Sequence, residues 1–499
     1  MGLQTPHLDF ISIRPVASPM LHVIDLLISK DHVFLVSRGL VWMQVAVVTW
    51  LWSKAAFQYV PSIGEAERLL VSLIAFHCSL SVFLISPWHT MDGLFFASIG
   101  VHFLLRCPRS PSWIGFGILG VSILCKQSFL FAPILMVLTL KEYRNWSNMV
   151  SMIVPVALYA LAVAVAGGFS DLMLQISSHI DVAEIALKPI LNRECAVGLA
   201  FSTLPAVAWR FKHRLGSITP ALVRFLIFSI MPSAVYIYCL VAEKYLFIYS
   251  NFLFGLLCGA IIFMLISRFV STSSLWTLST ASAFLAWSSS LSIGSNWPIL
   301  ASGMMLLCLY AYGMENQPDR AHGVDVRSSH IRVLCMGVLS VIGLGAYVAL
   351  RKKVVYQDLS EPYLVMHLDG ILPGGNGIRT NKETAAFLSE LRDLARESTM
   401  QGRTYAVVPD CAGWWVASDQ PNLLPIDWPQ DTELHRQELL ARVILSMDEL
   451  RSSNDVLVQK GRARSLVTDL APKQTPRIVD YVRSKYTKIH EGQFFEVYR

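Results

Sequence analysis

The chain has 499 residues, of which 54% are hydrophobic and only 15% are charged, and its formal net charge is +6. Soluble domains carry about 25% charged residues, so this composition excludes an ordinary soluble protein over most of the length. No basic stripe with interleaved aromatic residues is present, which argues against nucleic acid as a partner. The sequence also lacks a Cys-X-X-Cys pair or a Cys/His set with the spacing of metal ligands.

Apolar and polar residues divide the chain into two parts. Residues 34–350 contain repeated apolar runs, whereas residues 351–499 carry Lys, Arg, Asp and Glu throughout. Such runs predict a multi-pass α-helical membrane protein. We therefore expect a transmembrane domain over 1–350 and a small soluble α/β domain over 351–499, in the inner or plasma membrane of the cell.

The predicted elements begin with a polar segment, 1–33, that contains a short amphipathic stretch at Met20–Ser29. About twelve spans follow, and several are short for a hydrocarbon layer of about 30 Å. Their predicted ranges are 34–53, 67–86, 91–105, 112–124, 127–140, 146–168, 196–210, 222–242, 247–267, 273–290, 297–313 and 331–350. The pair 112–124 and 127–140 is also consistent with one kinked element or a shallow hairpin.

Lys and Arg are concentrated in the loops of one side when these spans are alternated, for example at Lys54, Arg106 and Lys141. The positive-inside rule assigns those loops to the cytoplasm. It then assigns the N-terminal segment, the gap at 88–92 and residues 351–499 to the extracytoplasmic side. An outside N-terminus with no span or signal peptide before it predicts that a first transmembrane helix is missing from this start.

The gap between the second and third spans, Pro87–Gly93, carries a histidine and a carboxylate. His89 and Asp92 are three residues apart, and ionisable groups at membrane depth indicate a functional site by default. The structural alternative is that Asp92 only stabilises the positive N-terminal end of the third helix. We expect a functional site at this gap, on the extracytoplasmic face.

The same face collects further charged residues, which are Asp9, Arg14, Asp171, His179, Asp181, Glu184, Lys188, Arg193 and, at the end of an apolar run, Lys126. Two carboxylates and several cations suit transfer of a group from an anionic donor. A carboxylate withdraws the proton of the acceptor, and cations offset charge on a departing phosphate. Asp9 is also consistent with a solvated loop residue, and Lys126 with a snorkelling lysine.

The C-terminal part alternates strand-like and helix-like segments. Strands are predicted at 363–368, 404–408, 455–459 and 493–498, and helices at 382–397 and 434–451. Asn381 is a suitable N-cap for the first of these helices. Gly374-Gly375-Asn376-Gly377 is a loop signal that is too loose for a phosphate-binding motif. The pattern predicts a small α/β domain.

Four features together resemble the GT-C class of polyprenyl-phosphate-sugar-dependent membrane glycosyltransferases, in the broad set of protein mannosyltransferases and aminoarabinose transferases. The first is an early acidic loop residue that prolines and an arginine follow. The others are an acidic residue in the next outside loop, a Gly-rich apolar segment ending in Lys-Gln, and a C-terminal strand followed by Pro-Asp. The stretches concerned are Asp9-Phe10, Arg14-Pro15, Ser37-Arg38, His89-Thr90-Met91-Asp92, Gly115–Gln127 and Ala406-Val407-Val408-Pro409-Asp410.

The resemblance implies transfer of a sugar from a polyprenyl-phosphate donor to an extracytoplasmic lipid, glycan or protein acceptor. It implies that Asp9 is the catalytic base, and that Asp92 assists it or binds a metal ion. No cofactor is expected with certainty, and a divalent metal ion held by these two carboxylates is left open. The implied partners are the lipid-linked donor, the acceptor and membrane lipids. The implied substrate-binding residues are Arg14, His89, Lys126 and Gln127.

A transporter or flippase of a lipid-linked or polar substrate is the alternative function. It predicts repeated halves and charged residues within spans along a translocation path. The sequence shows no convincing internal repeat, and most charges gather at one face, which favours the enzyme. A non-catalytic assembly protein, with the C-terminal part as a binding module, is a third hypothesis.

Overall fold

A computed structural model describes residues 4–80, 85–107, 110–178, 187, 190–210, 220–243, 246–266, 274–291, 297–315, 326–355, 358–460 and 475–499. The chain divides into two compact units. The helical unit comprises Val41–Leu158 and Asp181–Arg351, and the α/β unit comprises Met1–Leu40, Tyr159–Ile180 and Lys352–Arg499. Four predicted site residues lie outside the described ranges, namely His179, Asp181, Glu184 and Lys188.

Most of the described chain is helical. The helices are α1 Ala17–Ile28, α2 Val33–Phe57, α3 Glu65–Leu80, α4 His89–Arg106, α5 Ser112–Cys125, α6 Phe131–Thr139, α7 Trp146–Val165, α8 Phe169–Ile176, α9 Arg193–Ser202, α10 Leu204–Arg210, α11 Pro220–Phe225, α12 Met231–Val241, α13 Leu246–Ile266, α14 Ser274–Ser290, α15 Ser302–Met314, α16 Val326–Lys353, α17 Lys382–Met400, α18 Ala412–Trp415, α19 Gln437–Glu449 and α20 Arg477–Lys485. A short 3-10 helix, Gln127–Leu130, follows α5, and a π-helical turn, Leu226–Ile230, joins α11 to α12.

Five helices among the described residues are long and apolar enough to cross a membrane, namely Val33–Phe57, Trp146–Val165, Leu222–Val241, Ile248–Ile266 and His330–Lys353. They fit the predicted multi-pass membrane protein, but the prediction of about twelve spans is wrong. Several predicted spans form helices that are too short. The 14 residues of Ser112–Cys125, for example, reach only about 21 Å at 1.5 Å per residue.

Helices α4 and α5 pack closely because a glycine of each helix faces the other. A Cβ atom placed on Gly100 would lie 2.9 Å from the carbonyl oxygen of Gly115, and one on Gly115 would lie 3.1 Å from that of Gly100. Small residues at helix crossings allow backbones to approach in apolar surroundings. This contact therefore fixes α4 and α5 against each other.

The strands among the described residues are β1 Met366–His367, β2 Arg379–Thr380, β3 Thr404–Val408, β4 Asn454–Gln459, β5 Lys488–Glu491 and β6 Phe495–Tyr498. Four of them form a sheet in the order β3-β4-β6-β5. Strands β3 and β4 pair in parallel, whereas β6 is antiparallel to β4 and β5. The prediction of a small C-terminal region that contains a sheet is confirmed.

Alternate residues of β3 enter two different apolar cores. Tyr405 and Val407 share a core with Leu391 of α17, whereas Ala406 belongs to the core that contains Val443 of α19. Because successive side chains of a strand point to opposite faces, helices cover both faces of this sheet. The predicted cap of α17 is also observed, since the Thr384 N–H donates to Asn381 Oδ1 at 2.9 Å.

The N-terminal segment belongs to the α/β unit. Ile11 and Ile13 are buried in the same core as Ala406, and the Ile11 N–H donates to the carbonyl oxygen of Pro425 at 2.6 Å. The unit is therefore larger than the predicted 351–499. Contacts between residues so far apart in sequence leave no local pattern. The association of the N-terminal segment with the C-terminal sheet is therefore not predictable from the sequence.

The close approach of α4 and α5 generates a stability prediction. Gly100→Ala places a methyl group against the backbone of α5, and overpacking of this kind costs typically 1–3 kcal/mol. We expect a lower midpoint of thermal unfolding in detergent for this variant. Gly345→Ala in α16 is the matched control, because a Cβ there meets nothing within 4 Å and alanine is the better helix former. Equal stability of the two variants would contradict the packing role of Gly100.

Candidate functional site

Asp92 lies in the first turn of α4 and is fully buried in the helical unit. Gln44 of α2, which is also buried, donates from Nε2 to Asp92 Oδ1 at 2.7 Å. A carboxylate withdrawn from water needs such donors, because burying a charge without them costs several kcal/mol. Gln44 therefore replaces part of the water that an exposed carboxylate would bind.

Lys126 is the second buried charged residue of this region, with 5% of its surface exposed. It ends α5 in an extended conformation (φ −157°, ψ 131°), and its Nζ donates to Thr90 Oγ1 at 3.1 Å. Thr90 and Asp92 belong to the same turn of α4, so a buried ammonium group and a buried carboxylate are bound to one helix start. We call Gln44, Thr90, Asp92 and Lys126 the Asp92 cluster.

Local packing explains how the chain segment after Lys126 reaches the start of α4. The ring of Phe129, in the 3-10 helix Gln127–Leu130, lies where a side chain of Gly93 would be, since a Cβ there would be 2.5 Å from Phe129 Cε2. Glycine at this position therefore lets the segment that carries Lys126 lie directly on α4. Cys125, the neighbour of Lys126, is close enough to Asp92 to interact with its charge.

A small crevice lies next to the first turn of α4, among the described residues. This crevice, lined by Val41, Val45, Trp88 and Met91, has a volume of about 10 Å³, enough for about one water molecule.

Two further predicted residues lie on the segments that form the cluster. His89 is the first residue of α4 and is half-buried, with the ring of Trp88 edge-on to it at 5.7 Å between centroids. Gln127 is the first residue of the 3-10 helix and is also half-buried. Their predicted role in substrate binding stays a prediction.

Asp9 and Arg14 belong to the α/β unit. Asp9 is exposed, and its Oδ2 accepts the Thr5 N–H at 2.5 Å within a short turn. Arg14 forms an ion pair with Glu433, with 3.5 Å between Nη1 and Oε1. These contacts give both residues a structural role, and their predicted catalytic and substrate-binding roles stay predictions.

The other charged residues of the predicted outside face have different surroundings. Asp171 pairs with Arg442 at 3.3 Å in the α/β unit, and Arg193 begins α9 in the helical unit. Within the described ranges, no group of three or more His, Cys, Asp or Glu residues is placed to hold a metal ion. A metal ion held by Asp9 and Asp92 stays a prediction.

A histidine–carboxylate pair in α1, formed by a half-buried histidine and a buried aspartate, was not predicted from the sequence. His22 Nδ1 lies 2.9 Å from Asp25 Oδ2, and Asp25 is only 1% exposed. Asp25 Oδ1 has no hydrogen-bond partner within the described part of the chain. The sequence feature that could have indicated this pair is the three-residue spacing of His22 and Asp25 inside the predicted amphipathic stretch Met20–Ser29. The pair is a second candidate acid–base group, in the α/β unit.

The chain matches no protein-family model, no curated protein and no solved structure. Function is therefore inferred from the chemistry of the residues themselves.

The Arg14–Glu433 pair generates a prediction about pH. Burial raises the pKa of Glu433, and the charge and hydrogen bond of Arg14 partly oppose this shift. A carboxyl whose pKa is raised by folding destabilises the folded state above that pKa, once it ionises. We therefore expect Arg14→Met to lower the thermal unfolding midpoint most at pH 7–8. The effect should be much smaller near pH 4.5, the ordinary pKa of a glutamate, because the raised pKa keeps Glu433 largely protonated there.

Glu433→Gln supplies the control for this measurement. In that background, Arg14→Met should cost the same at both pH values, because no titrating partner remains. If Arg14→Met instead lowers the unfolding midpoint equally at both pH values in the protein that retains Glu433, that result contradicts the electrostatic explanation.

Proposed function

We propose that this protein is a membrane glycosyltransferase that moves a sugar from a polyprenyl-phosphate donor to an acceptor outside the cytoplasm. The observation that carries the proposal is the burial of Asp92 and Lys126 at one helix start, among apolar helices. Charged groups in such surroundings are costly and commonly functional. The proposal includes the GT-C-like character and the extracytoplasmic position of the α/β unit.

In the proposed reaction, Asp92 is the general base. The acceptor hydroxyl attacks the anomeric carbon of the donor sugar, and Asp92 takes the hydroxyl proton as the new C–O bond forms. The bond between the anomeric carbon and the phosphate oxygen breaks, and polyprenyl phosphate leaves with the electron pair. The ammonium group of Lys126 offsets the charge that develops on this phosphate.

The helical unit also supports a lipid donor. Its candidate spans include Ile248–Ile266 and Leu222–Val241, and apolar side chains remain exposed on their surfaces, for example Leu265 and Tyr238. In a bilayer these surfaces face hydrocarbon, where a polyprenyl tail is soluble. A donor held by its tail would present its phosphate without leaving the membrane.

The test is transfer of labelled sugar from polyprenyl-phosphate donors by membranes that contain each variant at matched expression. Asp92→Asn keeps an acceptor for the Gln44 amide but cannot take a proton, so we expect transfer to fall about 100-fold or more. Lys126→Met should reduce it by a similar factor. Addition of a chelator to the wild type tests metal dependence, and Asp9→Asn tests the base that the resemblance implied.

Glu65→Gln is the matched control, because it removes a carboxylate whose side chain is 87% exposed at the start of α3 in the same unit. This variant should retain full transfer. If a folded Asp92→Asn variant transfers sugar at the wild-type rate, Asp92 is not the general base.

A transporter remains the second candidate, because the helical unit contains a second group of buried charged residues. Glu67 of α3 is fully buried; it accepts from Tyr310 Oη at 2.5 Å and from Arg332 Nε at 3.2 Å. Charged residues within spans are what a translocation path predicts. In the assay above, Glu67→Gln should leave the transfer rate per folded molecule unchanged if the cluster is structural. Substrate uptake that depends on Glu67, without sugar transfer, would favour the transporter.

A further inference from the structure

The α/β unit contains a polar cavity that the proposed reaction does not use. Its volume is about 570 Å³, within the range of about 300–1,000 Å³ that small-molecule sites occupy. One wall is a face of α17, with Arg392, Ala395, Arg396 and Thr399 at the spacing of successive helical turns. The opposite walls are the loop 370–376 and residues 30–31 of the N-terminal segment.

The loop can form this wall only because Gly374 lacks a side chain. Its φ of +78° favours glycine, and a Cβ there would lie 2.5 Å from Val33 Cγ1 and 3.1 Å from the Lys30 carbonyl oxygen. The Asn376 N–H donates to the carbonyl oxygen of Asp31 at 3.0 Å. The loop and the N-terminal segment are thus held together as one continuous wall.

Aromatic residues form the base of the cavity. Tyr405 and Trp414 are both buried, and Trp414 Nε1 donates to Tyr405 Oη at 2.9 Å. The ring of Trp415 stacks on Tyr405 with 5.3 Å between centroids. These contacts fix the position of the Tyr405 ring at the base of the cavity.

The charged groups of the cavity differ in what they already bind. Lys30 and Asp419 neutralise each other at 2.5 Å, and Arg392 pairs with Asp393 at 2.9 Å. Arg396, in contrast, is exposed and has no hydrogen-bond or ion-pair partner among the residues that the structure describes. The Asp31 carboxylate is likewise without one in the described chain.

We propose that this cavity binds a sugar that carries an oxyanion, either a carboxylate or a phosphate. The planar guanidinium group of Arg396 donates two parallel hydrogen bonds to such a group. The carboxylate of Asp31 accepts hydrogen bonds from sugar hydroxyls. The cavity volume suits one or two sugar rings. This assignment is independent of the proposed transfer reaction, since it concerns binding alone.

The test measures binding to the full-length protein in detergent by saturation-transfer NMR. The probes are glucuronate, glucose 1-phosphate and, as the neutral control, glucose. At least one of the two anionic sugars should bind more tightly than glucose. The one that binds more tightly shows whether the cavity takes a carboxylate or a phosphate. Arg396→Gln should weaken that binding about tenfold or more, because charge-assisted hydrogen bonds to arginine are lost.

Lys382→Gln is the charge-matched control, since it removes one exposed cation from the same helix outside the cavity. Binding should be unchanged in this variant. Asp31→Asn should weaken binding of either anionic sugar without removing the preference over glucose. Three results would each overturn the proposal: equal binding of glucose, no binding of any probe, or anionic-sugar binding that Arg396→Gln leaves unchanged.

Discussion

The Asp92 carboxylate is fully buried, so protein groups must replace the water it would otherwise bind. Most of the geometry near it serves this requirement. Gln44 donates to one oxygen at 2.7 Å, and the close contact of Gly100 with Gly115 fixes the two helices that carry the cluster. If any of these supports is lost, a buried charge is left partly unsatisfied. The cluster is therefore costly to build, and this cost is the physical argument for function.

The ammonium group of Lys126 is the second buried charge of the Asp92 cluster. Lys126 ends an apolar helix, and its ammonium group donates to Thr90, which lies in the same turn of α4 as Asp92. The combination of a proton acceptor with a cation suits a reaction in which a hydroxyl loses a proton while a phosphate leaves. The Glu67–Arg332 pair shows that the same unit also buries charge elsewhere.

Sequence patterns predicted the elements whose signals are local. The strand at 404–408 and the Asn381 cap both depend on neighbouring residues. The number of spans was overestimated because apolar composition does not reveal whether a helix is long enough to cross alone. The placement of Ile11 in the sheet core, the Gln44–Asp92 hydrogen bond and the cavity beside Arg396 all join distant segments. No period or spacing in the sequence encodes such contacts.

The most direct test is a double-mutant cycle for sugar transfer with Gln44→Met and Asp92→Asn. If Gln44 acts only by supporting the Asp92 carboxylate, the double variant should be about as slow as Asp92→Asn alone, since asparagine cannot take the proton whether or not Gln44 binds it. The same membranes must show wild-type transfer. Losses that multiply in the double variant would show that the two residues act separately. That result would contradict the account of the cluster as one catalytic unit.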